Sequence, residues 1–174
     1  TLYHPQDLVG AALPIVVWGN GSCRNVGNAY PEFHAELASH GYLVIALGPV
    51  VPGYAPPTGP APARATGATP PPPPTRGDNE TDEQQFITAL DWAVAENGRA
   101  GSPFAGHIDV EQVAAAGHSC GGLQALWATL HEPRIDTVIL GNSGTIEPPV
   151  LAIDLPRAET ATLARPALYL IGGV

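Results

Sequence analysis

The sequence predicts an α/β fold in which a mostly parallel sheet carries helices on both faces. Two observations predict it. Short β-branched runs alternate along the chain with amphipathic runs of helical period, and 174 residues at 44% hydrophobic are enough for one domain with a substantial core. Leu13 to Trp18 reads as a buried strand, Ala29 to His40 as a helix stopped by Gly41, and Tyr42 to Leu47 as a second strand, which together make a β-α-β unit. Further on, "TDEQ" at Thr81 to Gln84 matches a capping box, and Phe86, Leu90, Ala93 and Val94 recur at helical spacing until Gly98. Val113 to Ala116 is a strand, Gly121 to Leu130 a helix, Thr137 to Leu140 a strand and Ala167 to Ile171 a last strand.

The stretch from Pro49 to Arg76 breaks this grammar. It holds 11 of the chain's 20 prolines, five of them consecutive at Pro70 to Pro74, so it is neither a helix nor a central strand. It is expected to be a Pro-rich insertion at 49–76 within a single domain, either a polyproline-like surface excursion or the rim or lid of a pocket.

Charge excludes some partners. Sixteen acidic residues stand against seven basic ones, all Arg, and the formal charge of -9 repels phosphate backbones and anionic lipid surfaces. Neither nucleic acid nor a membrane span is expected, since no apolar run approaches spanning length. The chain contains no Met and no signal-peptide h-region, which predicts a processed or trimmed product.

The chemistry concentrates at "AAAGHSCGGLQAL". Gly117-His118-Ser119-Cys120-Gly121 is a G-x-S-x-G pentapeptide between a predicted strand and a predicted helix. A tight strand-to-helix turn strains its central residue, and the residues two before and two after must be small for strand and helix to pass. Such a turn lifts the Ser119 hydroxyl above the sheet edge and aims the Cys120 NH where a tetrahedral oxyanion would form. Early in the chain, "PIVVWGNGSC" runs a buried strand into a Gly-rich loop, where Gly21 and Ser22 are candidates for the second oxyanion donor. The loop lacks G-x-G-x-x-G and a Lys-Ser pair, which argues against a phosphate site.

With "GNGSC", "ELASHGYLVIALG", "ITALDWAVAENG" and "GHSCGGLQAL" in that order, the chain resembles secreted α/β-hydrolase-fold serine esterases, the branch with bacterial cutinases, polyester hydrolases and platelet-activating-factor acetylhydrolases. The resemblance covers most of Leu13 to Val174. It implies Ser119 as nucleophile, oxyanion NH groups at Cys120 and near Gly21 or Ser22, and hydrolysis of a small-molecule or polymeric carboxylic ester through an acyl-enzyme. It also implies a triad acid a few residues beyond "YLIGG" and a histidine later still. The chain is therefore expected to be incomplete at its C-terminus, lacking the fold's last strand and helix, with acid and base beyond residue 174. A C-terminal segment of the same protein would then complete the fold.

The histidines within the chain agree with that expectation. His131, about 12 positions along a helix from Ser119, lies roughly 18 Å away by helical rise. His118 adjoins the serine on a turn where neighbours diverge, which suits a packing or rim role. His4, His34, His40 and His107 precede the elbow, whereas this fold orders serine, acid, histidine. Asp154, between the last two strands, is a weak candidate for the acid. No histidine belongs to a cluster with metal-ligand spacing, and neither metal nor cofactor is expected. The alternative reading is a catalytically silent binding module that keeps the fold.

Cys23 and Cys120 lie on loops expected to converge on the oxyanion hole. They are either two separate buried thiols or a disulfide that braces the hole and marks an oxidising compartment. Two sequons, Asn20-Gly21-Ser22 and Asn79-Glu80-Thr81, add slight support for a secreted or periplasmic protein, although a glycan on Asn20 would obstruct the site. Tyr30, Trp18 and Trp127 are either lining for an acyl pocket or ordinary packing.

Overall fold

The computed structural model describes residues 1–55, 77, 79–145 and 153–172. Among them, six strands form one sheet: β1 (Leu2–Tyr3), β2 (Leu13–Gly19), β3 (Leu43–Ala46), β4 (Ile108–His118), β5 (Thr137–Gly141) and β6 (Ala167–Leu170). Their order is β1-β3-β2-β4-β5-β6, and neighbours run parallel except β1, which pairs antiparallel with β3. The helices are α1 (Pro31–Ser39), α2 (Gln84–Gly98), α3 (Cys120–His131) and the short α4 (Arg157–Thr160).

Side-chain alternation along the strands explains the layering. Ile15, Val17, Leu43, Ile45, Val113 and Ala115 face one way and pack with Phe86, Leu90 and Ala93 of α2 and Ala125 and Ala128 of α3. Val16, Trp18, Val44, Ala46 and Ala116 face the other way, with Leu37 of α1 against them. Helices thus cover both faces, as the alternation in the sequence predicts. From β2 the chain moves through α1 to β3 on one side, then through α2 back across to β4 on the other. The helices that follow β2 and β4 therefore lie on opposite faces, and the crevice at the C-terminal ends of these two strands is the topological switch point of the sheet.

Local chemistry sets the boundaries. Pro31 opens α1 at its first position, so the helix starts two residues later than the periodicity predicts. The capping box is shifted by one residue from "TDEQ": the Gln85 NH donates to Asp82 Oδ1 at 3.0 Å and the Asp82 NH donates back to Gln85 Oε1 at 3.2 Å. Thr81 is buried instead, because its hydroxyl lies 3.1 Å from both the Cys23 carbonyl and Gln124 Oε1. Strand β4 extends further back than Val113, with a register break against β2 between Pro14 and Ile15 that leaves Val110 to Gln112 without partners on that strand. The two-residue β1 and the one-turn α4 carry no periodic signal.

On the face of α1, none of the described helices covers strands β4 to β6. A groove of about 700 Å³ is lined there by Val16, Trp18, Phe33, Ile139, Leu168 and Leu170 among others. Leu168, Tyr169 and Leu170 are each about half exposed. The Pro-rich stretch begins in the described part: Pro49 O accepts the Gly27 NH at 2.8 Å, and Asn28 and Val51 exchange side-chain to backbone hydrogen bonds. Its residues 56–76 lie outside the described residues, and with them the lid question.

Candidate active site

Ser119 stands at the switch point, between the end of β4 and the start of α3, with φ 52° and ψ -117°. A serine occupies that region only when its surroundings force it. Here the forcing is steric. A Cβ on Gly121 would overlap the carbonyl carbon and oxygen of Gly19, and one on Gly117 would overlap the Gly121 carbonyl. Helix and strands pass so closely that only glycines fit at 117 and 121. Gly117, Cys120 and Gly121 are buried while Ser119 between them is exposed, so the turn delivers the hydroxyl to solvent above the sheet edge. The Ser119 NH is anchored on Gly141 O at 2.9 Å, at the end of β5.

The loop after β2 closes over the same point. Gly21–Cys23 form a single 3-10 turn in which Ser22 (φ 56°) and Cys23 (φ 48°) are both left-handed. Asn20 holds this loop. It is 1% exposed, its Nδ2 donates to the carbonyls of Arg24 (3.0 Å), Val26 (2.8 Å) and Leu47 (3.1 Å), and its Oδ1 accepts from Trp18 Nε1 at 3.1 Å. Its carbonyl accepts the Gly121 NH at 3.0 Å, docking the loop on the first turn of α3. Cys23 and Cys120 are joined by a disulfide, with Cα atoms 5.2 Å apart. The loop is further tied to the entry of α2, since Cys23 O accepts the Thr81 NH at 2.7 Å and Gln124 Nε2 donates to Thr81 O at 2.6 Å.

The structure thus brings Ser119, Cys120, Gly21 and Ser22 together. As the first residue of α3, Cys120 has an amide with no acceptor inside the helix. Burial holds the Tyr30 phenol above its ordinary pKa. Ser22 is exposed beside Gly21. The sequon at Asn20 is unusable, because its amide nitrogen is buried and fully engaged. Asn79 of the other sequon is exposed.

No histidine of the described residues hydrogen-bonds Ser119. His118 Nδ1 lies 3.2 Å from the Tyr30 hydroxyl, and its pKa is lowered by burial and then by the Arg24 charge, so it is neutral at neutral pH. His131 stacks on Trp127, 4.1 Å between ring centroids, and pairs with Glu159 at 3.1 Å, at the far end of α3. Trp127 is therefore remote from the elbow, Trp18 is a core residue under Phe33 and His34, and of the three aromatic candidates Tyr30 alone reaches the site. Asp154 is exposed between the buried Ile153 and Leu155. Among the described residues no group of three or more His, Cys, Asp or Glu could hold a metal ion.

Three site residues carried no sequence signal of their role. Asn20 reads as part of a sequon, Arg24 as one of seven scattered arginines, and Ser143 as loop. In the structure Arg24 Nε donates to Gly21 O at 3.0 Å and Nη1 to the Tyr54 hydroxyl, and the Ser143 hydroxyl donates to Ser119 O at 2.7 Å.

No curated protein matches the chain. Residues 73–144, which hold α2, β4, the Ser119 turn, α3 and β5, match the model of the PET hydrolase-like family, and this match supports an ester hydrolase of the α/β-hydrolase type.

Proposed function

We propose that the chain carries the nucleophile and oxyanion hole of a serine esterase that cleaves carboxylic esters, small or polymeric, through an acyl-enzyme on Ser119. One observation carries the reading: an exposed serine is held in a strained strand-to-helix turn, with the amide of the next residue and a second strained loop bonded beside it. The Ser119 oxygen attacks the ester carbonyl, and the resulting oxyanion is stabilised by the Cys120 NH and by an NH of the Gly21–Ser22 turn. The general base that takes the serine proton, and the carboxylate that orients it, are proposed to come from beyond residue 174, since none of the histidines described above engages Ser119. His118 and Tyr30 then form the wall beside the nucleophile. The polyester class of substrate is supported by the family match alone. The disulfide supports an oxidising location, secreted or periplasmic.

Treatment with a fluorophosphonate tests this. Label is expected on Ser119 alone, and Ser119→Ala is expected to abolish labelling and turnover of p-nitrophenyl esters together. Label on another serine, or turnover that survives Ser119→Ala, refutes the assignment.

A further inference from the structure

An oxyanion donor is one end of a peptide unit whose other end is a carbonyl, and the unit is planar, so whatever grips the carbonyl aims the NH. The NH of Cys120 shares its peptide with Ser119 O. That oxygen accepts the Gly122 NH at 3.0 Å and the Leu123 NH at 3.3 Å from the helix, and in addition the hydroxyl of Ser143 at 2.7 Å from outside it. The NH of Ser22 shares its peptide with Gly21 O, which accepts Arg24 Nε at 3.0 Å in a charge-assisted bond.

We propose that Ser143 and Arg24 are positioning residues of the oxyanion hole, each hydrogen-bonding the carbonyl of the peptide whose NH binds the oxyanion. This rests on the esterase reading above. A donor on the carbonyl oxygen draws charge through the amide and leaves its NH a stronger donor, by about 10–30% per added bond in condensed-phase estimates. It also removes reorganisation of the amide at the moment charge develops.

Two further features place Ser143 there. A Cβ on Gly122 would come within 2.5 Å of both Cβ and Oγ of Ser143, so the glycine leaves the gap through which the hydroxyl reaches the elbow. The preceding Asn142 is left-handed (φ 43°), its NH donates to Leu170 O at 2.8 Å and its side-chain oxygen accepts the Gly172 NH at 2.7 Å, which fixes the turn that presents Ser143. Arg24 is likewise pinned at Nη1 by the Tyr54 hydroxyl.

The test compares Ser143→Ala, Ser143→Thr and Arg24→Gln with the unsubstituted protein in steady-state hydrolysis of a short p-nitrophenyl ester, thermal unfolding and amide 15N resonances. Losing an oxyanion donor outright lowers kcat by about 10² to 10³. A group acting through the donor is expected to lower it about fivefold to tenfold, with the KM and Tm of Ser143→Ala unchanged and with Ser143→Thr, which keeps the hydroxyl, close to the parent. Ser143→Ala is expected to move the Cys120 amide 15N resonance and Arg24→Gln that of Ser22, a readout that needs no turnover. An unmoved Cys120 resonance overturns the proposal. So does a kcat within twofold of the parent in both donor-removing variants, or an equal loss in Ser143→Thr and Ser143→Ala, which would mark packing. Should fluorophosphonate fail to label Ser119 in the unsubstituted protein, the esterase reading falls, while the resonance shifts still decide this geometry.

Discussion

Breaking the Cys23–Cys120 disulfide perturbs stability and chemistry at once, and the structure sets the scale of both effects. The bond closes a loop of 97 residues. In the chain-entropy account such a loop restricts the unfolded ensemble by about 4 to 5 kcal/mol. Relaxation of the strained turn at Ser22 and Cys23 is expected to offset only part of this, because the Thr81 NH on Cys23 O and the Cys23 NH on Asn20 O remain after reduction. Both cysteines are 4% exposed, so reductant acts only on a transiently opened chain, and the comparison belongs in denaturant titrations with and without reductant. The reduced protein is expected to unfold at a distinctly lower midpoint, equivalent to several kcal/mol. In the native protein, release of Cys23 frees a turn whose residues 22 and 23 both sit at positive φ, each disfavoured by about 1–2 kcal/mol. The turn should relax and take its NH out of alignment, so the loss of kcat is expected to fall between about tenfold and the 10² to 10³ of a missing oxyanion donor. Coincident midpoints for oxidised and reduced protein, or peptide mapping that finds two free thiols, would refute the reasoning.

Two more expectations follow from packing. Gly121→Ala sets a methyl against the Gly19 carbonyl, with Asn20 N only 2.6 Å away, and backbone cannot move aside as a side chain can; a loss beyond about 4 kcal/mol is expected, lowering Tm by roughly 10 °C or more. Gly41→Ala, at φ +92° but with nothing within 4 Å, should cost only the conformational strain of about 1–2 kcal/mol, so equal losses at the two sites would contradict the close-approach account. His34 is fully buried among Trp18, Tyr30 and Phe33, its ring nitrogens have no hydrogen-bond partner among the described residues, and burial lowers its pKa from 6.5 to about 4. The unfolded chain therefore takes the proton first. Stability from this group is complete above about pH 6.5 and declines as pH falls toward about 4, by up to about 3 kcal/mol. Urea midpoints measured across that window should show the decline and lose it in His34→Phe; an unchanged slope in the variant would assign it elsewhere.

Much of the fold was legible in the sequence because its causes are local. The run Leu13 to Trp18 and the pair of runs flanking Gly117 and Thr137 are apolar enough to be strands in any compact arrangement, and their alternation with helical segments leaves few topologies besides a mostly parallel sheet. The turn at Ser119 was legible for the same reason, since Gly117 records a clash with the Gly121 carbonyl four residues on, although the matching requirement at Gly121 comes from Gly19 on β2. Even the misplaced capping box erred by one position only, because Thr81 and Asp82 are both competent caps and the burial of Thr81 beside Gln124 settles which one caps.

Sequence alone thus determined where the central strands lie, where the strained serine sits and which loop faces it, though not the two-residue β1 or the early start of β4. It left open whether Cys23 and Cys120 are thiols or a disulfide, since two cysteines that far apart meet only if β2 and β4 become neighbours and α3 docks on the loop after β2. The hub at Asn20 and the grips of Ser143 on Ser119 O and of Arg24 on Gly21 O belong to the tertiary structure too. Their physical reason is common. A hydrogen bond from a loop side chain to a backbone carbonyl depends on where the acceptor is placed and leaves no periodic or compositional trace, whereas hydrophobic period and backbone sterics are written into the neighbouring residues themselves.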